Sequence, residues 1–313
     1  MTKRLKHFYE SQQLDKDLIF HFFEEADKMS EKDYEDDLLK GEILATLFCE
    51  PSARTKFSPT MTSFKSAMLK LGGNVITEET IKELSSAFEA GSIEDTIMVV
   101  GKYSDCAIIK HYEEGTVKRA AEIAEIPLIN AGDGRGQNPT QALTDIYTIN
   151  NEIGRLENLK VILVGDLANG REVRSLSYLL AKLPQNKLTF VSPDNLKMKD
   201  DVKGYLRENK IEFEEHSDLN KILPEADVIY MTRIQKERMP SEDYERAKGK
   251  YVINESNFSL IRKDARILHP LPRVDEIQLP FHVIRYNPKV AIFNQVENGL
   301  YIRMALLKHL IGE

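Results

Sequence analysis

Tryptophan is absent, cysteine occurs only twice in 313 residues, and no apolar run approaches the ~20 residues that would cross a bilayer. The missing tryptophan decides nothing; the missing apolar run excludes a helical membrane protein. The two thiols, Cys49 and Cys106, stand inside apolar runs, which points to a reduced, cytoplasmic setting. The basic start, MTKRLKHFYESQQLDKD, lacks the apolar core of a secretion signal. Surplus positive charge is missing too. Fifty acidic against 43 basic side chains leave a net charge of −7, so there is no general footprint for nucleic acid, and anion binding has to come from local clusters. No set of His, Cys and carboxylates has metal-ligand spacing, and neither a G-x-S-x-G elbow nor a G-x-G-x-x-G fingerprint is present. These absences leave metal-free, non-covalent chemistry on an anionic substrate.

What is there is ordinary globular composition, 42% apolar and 30% charged, over a length that exceeds one hydrophobic core. Short runs rich in β-branched residues recur near 42–50, 105–111, 126–132, 160–166, 187–193, 227–233, 251–256 and 266–272, with amphipathic segments between them. That alternation predicts an α/β protein of two doubly wound domains with parallel sheets, over 1–138 and 139–296, linked by interdomain helices. PTQALTDIYTINNEIGRL (139–156) carries proline at a first helical position and bridges the halves. ENGLYIRMALLKHLIG (297–312) is a second amphipathic helix that returns to pack on the first half.

Five stretches put donors or glycines where predicted strands end. FCEPSARTKFSPT (48–60) sets Ser52, Arg54 and Thr55 between a strand and a helix, a natural anion site, although a plain capped turn explains it equally well. AGDGRGQNPTQ (131–141) is a glycine-dense loop, suited to close backbone approach to a ligand or to an ordinary turn. VGDLANGREVRSL (164–176) presents Arg171 at a helix start, MTRIQKER (231–238) presents Arg233, Gln235 and Arg238, and LHPLPR (268–273) stiffens a loop with two prolines. All five lie at the carboxyl ends of parallel strands, where open α/β sheets bind ligands. His111 and His269 each adjoin a strand, and a structural role is expected of both ahead of catalysis.

Together, in this order and over almost the whole chain, these segments resemble the aspartate and ornithine carbamoyltransferases. SARTK is similar to the family's Ser-Thr-Arg-Thr-Arg loop for carbamoyl phosphate, and INAGDGRGQNPTQALTDIYTI and VGDLANGREVRSL to its Gly-Asp-Gly and Gly-Asp-Leu segments. YMTRIQKER, HPLPRVDEI and FNQVENGLYIRMALL complete the set. The ornithine branch has cysteine in its His-Cys-Leu-Pro loop; here the loop reads His269, Pro270, Leu271, Pro272, which makes the acceptor half resemble the aspartate branch. The resemblance implies transfer of a carbamoyl group from carbamoyl phosphate to L-aspartate or a similar amino acid, a step of pyrimidine biosynthesis, with no cofactor. It implies that Ser52, Arg54 and Thr55 hold phosphate, Gln141 the carbamoyl nitrogen, Arg171 and Arg233 the acceptor carboxylates with Gln235 beside them, and the Leu271 backbone the amine. It further implies a homotrimer with shared active sites, possibly joined by regulatory chains.

The donor side departs from the family pattern. Ala53 replaces a threonine, Lys110 an arginine on the phosphate, and Asn138 the histidine that contacts the donor carbonyl. The phosphate loop is lengthened, since the expected Ser-Phe pair stands only at Ser63 and Phe64. ELSSAFEAGSIEDT (83–96) resembles the mobile loop lent by a neighbouring subunit; Ser85 fits the family's serine, but Glu89 occupies the position of the catalytic lysine. At ~5 Å and an effective dielectric of ~20 a unit charge interacts by roughly 3 kcal/mol, so this exchange swings the site by up to ~6 kcal/mol against a phosphate. A transferase of the same fold with another donor or acceptor, and a non-catalytic paralogue, are the alternative readings.

Overall fold

A computed structural model describes residues 4–49, 58–79 and 92–312. The chain divides into two compact units, Met1–Leu143 with Asn298–Glu313, and Thr144–Glu297.

The first unit is built on β1 (Ile43–Phe48), β2 (Asn74–Glu79), β3 (Cys106–His111) and β4 (Leu128–Asp133), in the order β2-β1-β3-β4 with every pairing parallel. The run ILATLF of β1 is buried from its second residue onward, as a central parallel strand covered on both faces must be. Ala45, Leu47, Ala107 and Ile109 pack against Val117, Ala120 and Ala121 of the helix Thr116–Ile123. The N-terminal segment lies along β4: Phe8 donates to the Leu128 carbonyl at 2.8 Å and its own carbonyl accepts from Asn130 at 2.9 Å. Asp15 then caps the helix Lys16–Glu31 by accepting from the Leu18 N–H at 2.9 Å.

The second unit holds β5 (Lys160–Val164), β6 (Lys187–Val191), β7 (Glu212–His216), β8 (Val228–Met231) and β10 (Arg266–Leu268), in the parallel order β10-β8-β5-β6-β7. Two-residue strands β9 (Ile253–Asn254) and β11 (Ile277–Gln278) pair separately. Gly165, directly after β5, has φ +117°, and a Cβ there would stand 2.2 Å from the Thr232 carbonyl oxygen. Only glycine lets the exits of β5 and β8 approach this closely.

The parallel α/β architecture agrees with the sequence reading; several elements differ from it. The two-residue β11 is an additional strand, and so are β2 and β7. Both are sheet edges with one neighbour, so NVITEE and EFEEH need no continuous apolar run. The strand expected over 251–256 is only β9, because Asn254 turns the chain into the helix Glu255–Phe258 by accepting from the Ser256 N–H at 3.0 Å. The strand expected to 272 stops at Leu268, before Pro270 and Pro272, which cannot donate to a ladder. The helix from Pro139 ends at Ile153 rather than 156, where Gly154 takes φ +78°. The last helix begins at Ile292 rather than 297.

Candidate functional site

In the first unit the sequence-predicted residues stand at the carboxyl ends of β3 and β4. Lys110 is half-buried in β3, level with Phe48, and its carbonyl accepts from the Cys49 N–H at 2.8 Å. β4 leads into a loop shaped by Asp133, whose carboxylate accepts from Gln137 N–H at 2.8 Å and Gly115 N–H at 2.9 Å. Gly134 adopts φ +48°, with Tyr112 O only 2.6 Å from where a Cβ would sit. Asn138 is buried, and its Oδ1 accepts from the Thr140 hydroxyl at 3.2 Å and the Gln141 N–H at 3.4 Å. It thereby caps the helix that carries Gln141 in its first turn. The neighbouring His111 accepts from the Glu113 N–H at 3.0 Å, and burial holds its pKa below the ordinary value, so it acts as a neutral turn-former. Ser52, Arg54, Thr55, Ser85 and Glu89, like Ala53, lie outside the described residues.

In the second unit Arg171, Arg233, Gln235 and Leu271 all emerge from β5, β8 and β10, three neighbours in the sheet. Arg171 opens the helix Arg171–Leu180 and is buried, with Nε 3.3 Å from Glu172 Oε1. Arg233 follows β8 and forms a two-pronged pair with Glu237, one arm at 3.0 Å. Burial alone would lower the Arg233 pKa, but Glu237 outweighs it, helped by the charges of Glu172 and Glu276, and the net shift is upward. Glu172 thus contacts Arg171 and adds its charge to what keeps Arg233 protonated. Asp166, buried just after β5, accepts from Asn169 N–H at 3.0 Å and from Gln235 N–H at 3.4 Å. Burial pushes its carboxyl above the ordinary range against the pull of those hydrogen bonds. Arg238 adds a tie to the Asn169 carbonyl at 3.0 Å.

Leu271 sits after β10 with φ +53°, in the left-handed region, and donates its N–H to His269 Nδ1 at 2.8 Å. His269 Nε2 is 2.7 Å from Glu276 Oε1 but off the line of an aligned hydrogen bond. Burial would raise the Glu276 carboxyl; the contacts with His269 and the Val274 N–H win and leave it lowered. The acidic residues Asp166, Glu172, Glu237 and Glu276 were not singled out by sequence reasoning. Only Asp166, in a Gly-Asp pair closing a strong strand, carries a local signal. Chemically the cluster offers two guanidinium groups, an amide side chain and a constrained backbone turn, a set suited to a small acceptor with two carboxylates and an amine. Among the described residues there is no His, Cys, Asp and Glu group able to hold a metal ion.

Comparison with known proteins gives two adjoining family matches. Residues 6–151 match the aspartate/ornithine carbamoyltransferase carbamoyl-P binding domain, and residues 157–310 match the Asp/Orn binding domain of the same family. Aspartate carbamoyltransferase 2, chloroplastic, of Pisum sativum is 50% identical over 307 residues, covering 96% of this chain and 78% of the pea protein. The catalytic subunit of M. jannaschii aspartate transcarbamoylase superposes with a TM-score of 0.86 at 41% identity, covering 98% of each chain. The Trypanosoma cruzi aspartate transcarbamoylase in complex with carbamoyl phosphate and aspartate superposes with a TM-score of 0.89 at 32% identity, covering 98% of this chain and 97% of that one.

Proposed function

Because the chain belongs to the aspartate/ornithine carbamoyltransferase family, we propose that it transfers the carbamoyl group of carbamoyl phosphate to the amino group of L-aspartate, in pyrimidine biosynthesis. The observation that carries the choice of acceptor is the pair Arg171 and Arg233 at the ends of neighbouring strands, each now facing a carboxylate of the protein itself. Two guanidinium groups match the two carboxylates of aspartate and repel the cationic side chain of ornithine. The aspartate amine, held at the Leu271 backbone, attacks the carbonyl carbon; a tetrahedral oxyanion forms, the C–O bond to phosphate breaks, and the amine's proton leaves. Ser52, Arg54, Thr55 and Lys110 hold the phosphate and Gln141 the carbamoyl nitrogen, while Asn138 supplies a neutral hydrogen bond where the family has histidine. Holding two anions together, with donors aimed at the developing oxyanion, supplies the rate.

Purified protein given carbamoyl phosphate and aspartate yields carbamoyl aspartate and phosphate, and ornithine in place of aspartate yields nothing. No product at high enzyme concentration overturns the proposal. The substitutions at Ala53, Glu89, Lys110 and Asn138 favour a second reading, in which the acceptor site is kept and the donor differs. Stabilisation on heating by succinate but not by carbamoyl phosphate would select it. A homotrimer is proposed with the family, and the exposed Leu69, Val99 and Tyr103 of the first unit offer apolar surface of the kind subunit contacts cover. The cytoplasmic setting is proposed on the two free thiols, Cys49 and Cys106.

A further inference from the structure

Four side chains of the second unit, each at most 2% exposed, form a directed series of hydrogen bonds: Asp145, Tyr230, Gln295 and His269. Tyr230 Oη donates to Asp145 Oδ2 at 2.7 Å, and Gln295 Nε2 donates to Asp145 Oδ1 at 2.6 Å. Gln295 Oε1 accepts from the His269 N–H at 2.9 Å, and His269 Nδ1 accepts from the Leu271 N–H at 2.8 Å. Asp145 belongs to the helix Pro139–Ile153, Gln295 to the helix Ile292–Ile311 and Tyr230 to β8, so regular elements anchor the far end. The direction of the series is forced. Both oxygens of Asp145 accept, as in a carboxylate, so Gln295 must turn its amino end toward Asp145 and its carbonyl end toward His269. His269 in turn must leave Nδ1 unprotonated to receive the Leu271 N–H.

The near end of the series is a backbone that does not hold itself. Leu271 at φ +53° is in a conformation that L residues other than Asn and Asp rarely adopt, and such a conformation persists only where its surroundings impose it. We propose that Asp145 and Gln295 are positioning residues for the acceptor: through His269 they hold the 269–271 turn in the shape that lets the Leu271 backbone receive the acceptor's amine. This rests on the reading of Leu271 given above. Neither side chain touches the acceptor in this scheme. Their effect should fall on the amine alone, and the donor should not sense it.

Polarity reversal tests it. In the single variant Gln295→Met the His269 N–H loses its acceptor and Asp145 loses one of its donors at similar side-chain volume; Asp145→Asn alone would not force the break, because its amide can turn the oxygen to Gln295 and the amino group to the Tyr230 hydroxyl, which can accept. The reversed pair Asp145→Asn with Gln295→Glu is the double variant and keeps the link, because a carboxylate at 295 can accept from the amide at 145 and from the His269 N–H. The single variant should raise KM for aspartate about tenfold, the weight of one buried hydrogen bond, and change KM for carbamoyl phosphate less than about threefold. Affinity for succinate, which lacks the amine, should stay within about threefold, and the double variant should recover most of the aspartate loss. Amide exchange at His269 and Leu271 should quicken about tenfold in the single variant and slow again in the double. If Gln295→Met does not fold, Gln295→Leu cuts the same link and should show the same split. A fall in Tm with KM for aspartate unchanged, or a double variant no better than the single, overturns the proposal. If wild-type protein makes no carbamoyl aspartate the functional reading fails, and amide exchange, which needs no turnover, still decides whether these side chains hold the turn.

Discussion

Arg171 and Arg233 are each held by a carboxylate a short way along the chain, Glu172 and Glu237, and the charge of Glu172 also bears on Arg233. Lysine at 233 keeps the charge but loses the planar fork, so Arg233→Lys should lower kcat/KM for aspartate about tenfold or more with carbamoyl phosphate affinity unchanged, as steady-state kinetics will read. Arg233 was legible because it closes a strand-like run, and Arg171 because it follows a glycine at a helix start. Their carboxylate partners were not, since a glutamate facing an arginine looks like a solvated one until strand adjacency is known. Two histidines of the first unit carry a separate consequence. Burial pushes the pKa of His7 and of His309 down to about 4, with Lys6 adding to the first and His21 to the second. Each accepts a backbone hydrogen bond, His7 from Leu128 at 3.2 Å and His309 from Leu5 at 3.1 Å, and so must be neutral. The unfolded chain, with pKa ~6.5, binds more protons between pH ~6.5 and ~4, so this stability is complete above the window and lost as pH falls through it. Urea midpoints at pH 7 and pH 5 should differ less in a His7→Gln, His309→Gln double variant; an unchanged difference would assign the pH dependence to other groups.

At the scale of elements, the second sheet is tied at the end remote from the arginines by one aspartate. Asp227 accepts from Lys160 N–H at 2.8 Å and from Arg262 at 3.1 Å, lies 3.2 Å from Arg155, and offers its carbonyl to Arg266 N–H at 2.9 Å, so β5, β8 and β10 start in register around it. Asp227→Asn should cost about 1–2 kcal/mol, the low side for a buried charge, because the arginine side chains are 43% and 40% exposed and water screens them. Denaturant unfolding will show the loss, and KM for both substrates should not move, since the site stands at the opposite strand ends. Central strands were readable as apolar runs, whereas edge strands β2 and β7 were not: one-sided pairing leaves their composition free to be polar.

At the scale of the molecule, three copies of the 35.8 kDa chain are the proposed assembly, with the 83–96 loop of one subunit serving the next. Glu89 would then bring a negative charge to a neighbour's phosphate, and Glu89→Lys should tighten carbamoyl phosphate binding at least about tenfold, given roughly 3 kcal/mol per unit charge at ~5 Å before screening. Calorimetric titration of both proteins checks it, and equal affinities would remove the loop from the site.

What the chain determined by itself was its class and its list of chemical groups: parallel strands from apolar runs, and donors at strand ends, because burial on both faces and turns beside ligands each leave a local signature. What only the folded molecule decided was partnership. The charge of Glu172 felt at Arg233, and Asp145 linked through Gln295 to a turn more than a hundred residues away, exist because strands and helices far apart in sequence pack side by side, and proximity across such distances is written in no short stretch of residues.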